Sequence, residues 1–152
     1  MQGLFQLQSA RDILDKLRHD LERLKSEPLN QYAAFDFFVT ARHMPEWLYP
    51  GDAHGTQRKA LVQQHTLLQI CEHIGDGSKH FQATAKHHKS VKNTSLEGAA
   101  FQANAFQANA FQIGQLIVTL DGQAAVDFGP TIEVTDLATK VLQFWENHPD
   151  LR

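Results

Sequence analysis

SARDILDKLRHDLERLKSEP, residues 9–28, is the stretch on which the fold class turns. Ser9 and Asp12 stand three apart in a capping-box-like pair. Behind them Ile13, Leu14, Leu17, Leu21 and Leu24 recur at helical spacing until Pro28. The positions between them carry charges of both signs, among them Arg11, Asp15, Arg18, Asp20 and Arg23. Pairs such as Asp12 with Lys16 are expected to support a solvated face, so this run reads as solubility rather than as a binding site.

Working outward, a second helix is expected from Asn30. Tyr32, Phe35, Phe38, Val39, Met44, Trp47 and Leu48 give it a density of large apolar groups that suggests the centre of the core, with Pro45 kinking or ending it. Pro50, Gly51 and Gly55 mark residues 49–56 as a loop. A third helix is expected from Gln57 through Leu61, Leu67, Leu68, Cys71 and Ile74 until it meets Gly75 and Gly77. Residues 83–115 are irregular by composition. Beyond them Leu116–Leu120, Asp121-Gly122 and Gln123–Phe128 read as a β-hairpin with a tight turn, and Thr135 or Asp136 can cap a last helix through Leu137, Val141, Leu142, Phe144 and Trp145. The expected fold is mainly α: a four-helix-type bundle with a small β-hairpin and a long irregular loop before the last helix. It is read as a single domain over 1–152, with a helical core at 9–82, a long loop at 83–115, and the hairpin and C-terminal helix at 116–149.

With 152 residues, 42% of them hydrophobic, the chain can bury one sizeable core. Its formal net charge of -3 gives no global field toward nucleic acid or anionic membrane, so any such binding must use a local patch. The single cysteine, Cys71, lies in an apolar stretch and reads as a buried core thiol. It can form no internal disulfide, which fits a reducing compartment. Residues 1–8 lack the features of a secretory signal and no window reaches the roughly 18 apolar residues of a membrane span, so a cytoplasmic protein with no membrane partner is expected.

Three features could carry chemistry. The first is a count of nine histidines, of which His65, His73 and His80 fall within an arc of about 80° if the third helix is continuous. No Cys-x-x-Cys or His-Glu-x-x-His spacing supports a metal, so neither a metal nor another cofactor is expected. The second is the only basic patch, Lys79 to Lys92, where Lys79, His80, Lys86, His87, His88, Lys89 and Lys92 are interrupted by no acidic residue. Such a patch could hold the phosphates of RNA or a nucleotide. The third is the pentad repeat in residues 100–112, which sets Phe101, Phe106 and Phe111 five apart. That spacing matches neither the helical nor the strand period, so the rings read either as anchors of an irregular ribbon or as an exposed stripe for a protein partner.

The helical layout over residues 9–82, together with Gly77-Ser78-Lys79-His80, resembles the HEPN-like helical proteins of bacteria, some of them linked to toxin or defence systems. Active members of that superfamily are metal-independent ribonucleases with an Arg and a His four to six residues apart on one helix. The resemblance therefore implies Arg58 and His65, which are separated by six residues, as a catalytic pair, with His80 as a second candidate histidine. Upstream of His80 the implied arginine is missing, since Ile74, Gly75 and Asp76 stand there, and such a chain would not be an active nuclease. Arg42 and His43, beside Glu46, could face the same groove. In a metal-independent ribonuclease a histidine moves a proton at the ribose 2′-hydroxyl or the leaving oxygen while Arg or Lys stabilises the phosphorane charge. The leading expectation is thus an RNA-associated or interaction module, with Arg42, His43, Lys79, Lys86, His87, His88 and Lys89 as binding residues. Its alternatives are a ribonuclease using Arg58, His65 and His80, and a structural or partner-binding protein using Phe101, Phe106 and Phe111. The resemblance also implies pairing of two copies through helices, as a homodimer.

Overall fold

The computed structural model describes residues 4–80, 85–98 and 114–152. It is mainly helical with a small antiparallel sheet, in the order α1 (Ala10–Ser26), α2 (Gln31–Leu48), α3 (Gly55–Gln64), α4 (Thr66–Lys79), β1 (Val91–Glu97), β2 (Gln115–Leu120), α5 (Gly122–Phe128), β3 (Thr131–Glu133) and α6 (Val134–Glu146). The phenylalanines 101, 106 and 111 lie outside the described residues.

Helix α1 starts as its sequence expects. Asp12 N–H donates to Ser9 Oγ at 3.3 Å, and Ser9 N–H donates back to Asp12 Oδ2 at 2.8 Å. The Ser9 hydroxyl, donating to Asp12 Oδ2 at 2.7 Å, and then the Gln8 and Ser9 N–H groups hold the Asp12 carboxyl below its ordinary value. The apolar stripe is buried as expected, but one charged residue goes with it: Asp20 is only 2% exposed. Lys16 turns to Asp20 rather than to Asp12, at 2.5 Å, and both meet the Thr40 hydroxyl of α2.

Helix α2 is capped by the Asn30 side chain and runs through Pro45 to Leu48 instead of ending there. Pro45 has no N–H to donate to the Ala41 carbonyl, so it costs α2 one intrahelical bond without ending it. Leu17, Leu21, Leu24, Phe37, Met44, Leu137, Val141 and Trp145 are almost fully buried and join α1, α2 and α6 in one core. Each such side chain contributes about 1.5–3 kcal/mol of transfer free energy. Tyr32 and Phe35, expected in that core, point out instead, at 81% and 50% exposure.

The third expected helix is two helices. His65 takes an extended conformation (φ -129°, ψ 110°), serving as C-cap of α3 and N-cap of α4. His65, His73 and His80 therefore share no continuous helical face. Gly75 and Gly77 do not end α4. Gly75 lets α4 approach α2 closely, since a Cβ there would lie 2.5 Å from Arg42 Cβ.

The segment expected to be irregular contributes strand β1. It pairs antiparallel with β2, which pairs antiparallel with β3, so Val118 stands opposite Thr94 on one side and Ile132 on the other. The expected hairpin is corrected at Asp121-Gly122. There the Asp121 carboxylate accepts the Gly122 N–H at 2.8 Å, Gly122 adopts φ +53°, and α5 occupies the place of the second arm. Last, α6 is capped by Glu133, whose carboxylate accepts from Asp136 N–H, not by Thr135 or Asp136. Among the described residues no helix is long and apolar enough to cross a membrane.

Candidate functional site

Among the described residues a cluster of titratable side chains forms where the turn at residues 85–90 folds back on α4. Glu72 and Asp76, one helical turn apart, share a face of α4, and His73 adjoins them. His88 packs its ring on His73, with centroids 4.8 Å apart and planes at 14°, and His87 meets His88 edge-on. The His88 side chain is 4% exposed. Its Nε2 lies 3.1 Å from Asp76 Oδ2, while Arg42 Nε, reaching across from α2, donates to Asp76 Oδ1 at 2.9 Å. Arg42, Asp76 and His88 thus form a chain in which the carboxylate is held from both sides.

Protonation follows from these contacts. Burial raises the Asp76 carboxyl, but the Arg42 hydrogen bond and charge outweigh it, so its pKa lies below the ordinary carboxylate range. For Arg42, burial lowers the pKa and the bond to Asp76 overcomes it, leaving the guanidinium above its usual value. His73 is pushed down, chiefly by burial and then by the neighbouring imidazoles His88 and His87. A neutral His73 also suits its geometry, because its Nδ1 accepts the Val91 N–H at 3.0 Å and leaves the proton on Nε2. Cys71, on the same helix, faces the core. Burial drives its thiol up to about 12, so it is inert as a nucleophile at neutral pH.

His73 also borders a cleft of about 710 Å³ between α2, α4 and the sheet. One wall is β1, which lines it from Val91 to Leu96, and the facing lip carries Tyr32 and Phe35. These two rings lie three residues apart in the first turns of α2, on one face and open to solvent. Lys92 lines the cleft, and Lys86 and Lys89 are exposed on the turn that leads into β1. Among the described residues Lys79, Lys86, Lys89 and Lys92 form no ion pair.

Of the residues singled out in the sequence, the fold brings together Arg42, His87 and His88, along with the exposed lysines of the 85–92 segment. It leaves the others apart. Both hydrogen bonds from Arg58 go to backbone carbonyls, Tyr49 at 2.6 Å and Gly51 at 2.7 Å, where they tie down the loop before α3. His65 packs edge-on against Phe144 of α6, with centroids 4.8 Å apart. His80 is the exposed C-cap of α4. Among the described residues no hydrogen bond or ring contact joins Arg58, His65 and His80. His43 stays on α2, its Nδ1 2.9 Å from Glu46 Oε2.

Sequence reasoning missed Asp76 and Glu72 as members of the cluster. Their spacing of four on an amphipathic segment was a signal, but their histidine partners lie beyond the end of α4, in the turn at 85–90. No family model, curated protein or solved structure matches the chain.

Proposed function

We propose that the chain is a non-catalytic binding module for single-stranded RNA or an RNA-like polyanion. The observation that carries this reading is the cleft: two solvent-facing aromatic rings, Tyr32 and Phe35, oppose a polar strand whose approach is flanked by lysines without acidic partners among the described residues. Single-stranded nucleic acids are held by this combination, bases stacking on aromatic rings while cations track the phosphates. The lysines supply the local patch that a net charge of -3 requires. The reading agrees with the RNA association implied by the resemblance to HEPN-like proteins. It sets the ribonuclease alternative second, because Arg58 turns its Nη1 to the Tyr49 and Gly51 carbonyls and, among the described residues, meets neither His65 nor His80. The test is ultraviolet crosslinking to a uridine-rich oligonucleotide followed by peptide mapping. Crosslinks on Tyr32 or Phe35, with the RNA left intact, are the expected result; crosslinks confined to other surfaces, or cleavage of the RNA, would overturn it.

One observation favours a second reading. Among the described residues β1 is an edge strand of the sheet and pairs only with β2, so its outer side could take an added strand, as where extended peptides dock beside a sheet edge. Protection of β1 amides from hydrogen exchange by a captured peptide, with no RNA binding, would select it.

A further inference from the structure

Among the described residues one polar atom of the α4 cluster has no partner. His88 is buried to 4% side-chain exposure, its Nε2 is engaged by Asp76, and its Nδ1 is buried without a hydrogen bond. An orphaned buried ring nitrogen is destabilising unless something satisfies it. A bond from Nε2–H to Asp76 leaves the Nδ1 lone pair free, the tautomer that metal-ligating histidines adopt when a carboxylate holds their other nitrogen. Two further ligand groups lie near the His88 side chain. One donor atom each from Glu72, His87 and His88 lie within 4.8 Å of one another, and His87 Nε2 is 3.8 Å from Glu72 Oε2.

From this geometry we infer that Glu72, His87 and His88 form a divalent transition-metal site, with zinc as the ion that best suits two imidazoles and one carboxylate. Two nitrogens and a carboxylate oxygen are the donors of zinc sites that keep a fourth position open for water or an anionic ligand. Asp76, fixed by Arg42, is the positioning residue that orients His88. Around a tetrahedral ion the donors stand about 3.3–3.6 Å apart, given bonds of roughly 2.0–2.2 Å. The site must therefore contract slightly on binding. His87, 59% exposed, is the side chain with room to turn, while Glu72 is half-buried on α4 and His88 is already fixed. The local sequence builds this arrangement through the spacing of Glu72 and Asp76 on α4 and the turn closed by His88 N–H to Ala85 O at 2.9 Å. The inference stands independently of the RNA reading.

The test uses the untagged full chain, stripped with a chelator, and zinc alone as probe, titrated against a chromophoric competitor and checked by elemental analysis after dialysis. One zinc per chain with sub-micromolar affinity is expected. His87→Ala and Glu72→Gln should each weaken binding by tenfold or more, and Asp76→Asn by about 10- to 100-fold. His19→Ala, an exposed histidine on α1, should leave it unchanged. The two ligand variants alter side chains at or near the surface, and retention of the helical circular dichroism shows that they fold. No stoichiometric zinc, or equal affinity in wild type, His87→Ala and Glu72→Gln, would overturn the site.

Discussion

Replacing Lys16 by Met tests the buried ionic contact that couples α1 to α2. Asp20 is 3% exposed at its side chain and has three polar neighbours: Lys16 Nζ at 2.5 Å, the Thr40 hydroxyl at 2.8 Å and, more distantly, Arg23 at 4.0 Å. Removing the lysine strands a carboxylate that water cannot reach. Breaking a fully buried pair costs about 3–5 kcal/mol, whereas a surface pair contributes about 0–1 kcal/mol. Lys16 is itself 40% exposed, so part of its attraction is screened, and a loss of about 2–3 kcal/mol is expected. In urea denaturation followed by circular dichroism, this lowers the midpoint by about 1–1.5 M at a slope of about 2 kcal/mol/M. The decisive comparison is the same change in an Asp20→Asn background. There no charge is left unpaired, and Thr40 can still donate to the Asp36 carbonyl, 2.8 Å away. Lys16→Met should then cost at least 1 kcal/mol less than it does beside the native aspartate. Equal costs in the two backgrounds, or a loss below about 0.5 kcal/mol in the native one, would refute the reasoning.

Two further expectations concern the α2–α4 contact. Gly75→Ala places a methyl 2.5–2.7 Å from the Cβ and Cγ of Arg42, close to the backbone where neither helix can yield cheaply. Overpacking of about 1–3 kcal/mol outweighs the helix propensity gained, about 1 kcal/mol, so a lower melting temperature is expected and an unchanged or higher one would contradict the close approach. The second concerns pH. His73 has a folded-state pKa below its ordinary 6.5, so the unfolded chain binds the proton more readily. Its contribution is present above pH 6.5 and is lost as pH falls below that value toward the folded pKa. Asp76 acts in the same direction at lower pH, below its ordinary 3.8. Stability from urea melts should decline from pH 7 to pH 5, and His73→Gln should flatten that decline; an identical slope in the variant would count against a buried neutral His73.

Much of the fold was legible where a helix had both a cap and a stripe. Ser9, Asp12 and the leucines of α1 specify that helix completely, and Asn30 marks the start of α2. Elsewhere local signals were overridden by tertiary contacts. The break at His65 has no glycine or proline to announce it. Gly75 and Gly77, ordinarily helix stops, sit inside α4, where Gly75 admits the Arg42 side chain. Asp121-Gly122 serves a hairpin turn and a helix cap equally well, and the short run behind it is too brief for periodicity to decide. β1 was invisible because five of its seven residues are polar and no apolar alternation marks it. The site was legible only in pieces. His87 and His88 lay in a conspicuous basic run, but Asp76 and Arg42, which hold His88, are distant in sequence and became its partners only through packing.

The RNA-binding reading is tested most directly by titrating a fluorescent uridine-rich single strand with the wild-type chain across a range of salt concentrations. Saturable binding is expected, with log affinity falling against log salt at a slope of about -1.5 to -3 as two to four lysines displace counterions. Tyr32→Ala should weaken it about tenfold, in line with the 1–3 kcal/mol of one stacked base, without altering the slope. No saturable binding at low salt, or binding insensitive to both salt and Tyr32, would contradict it.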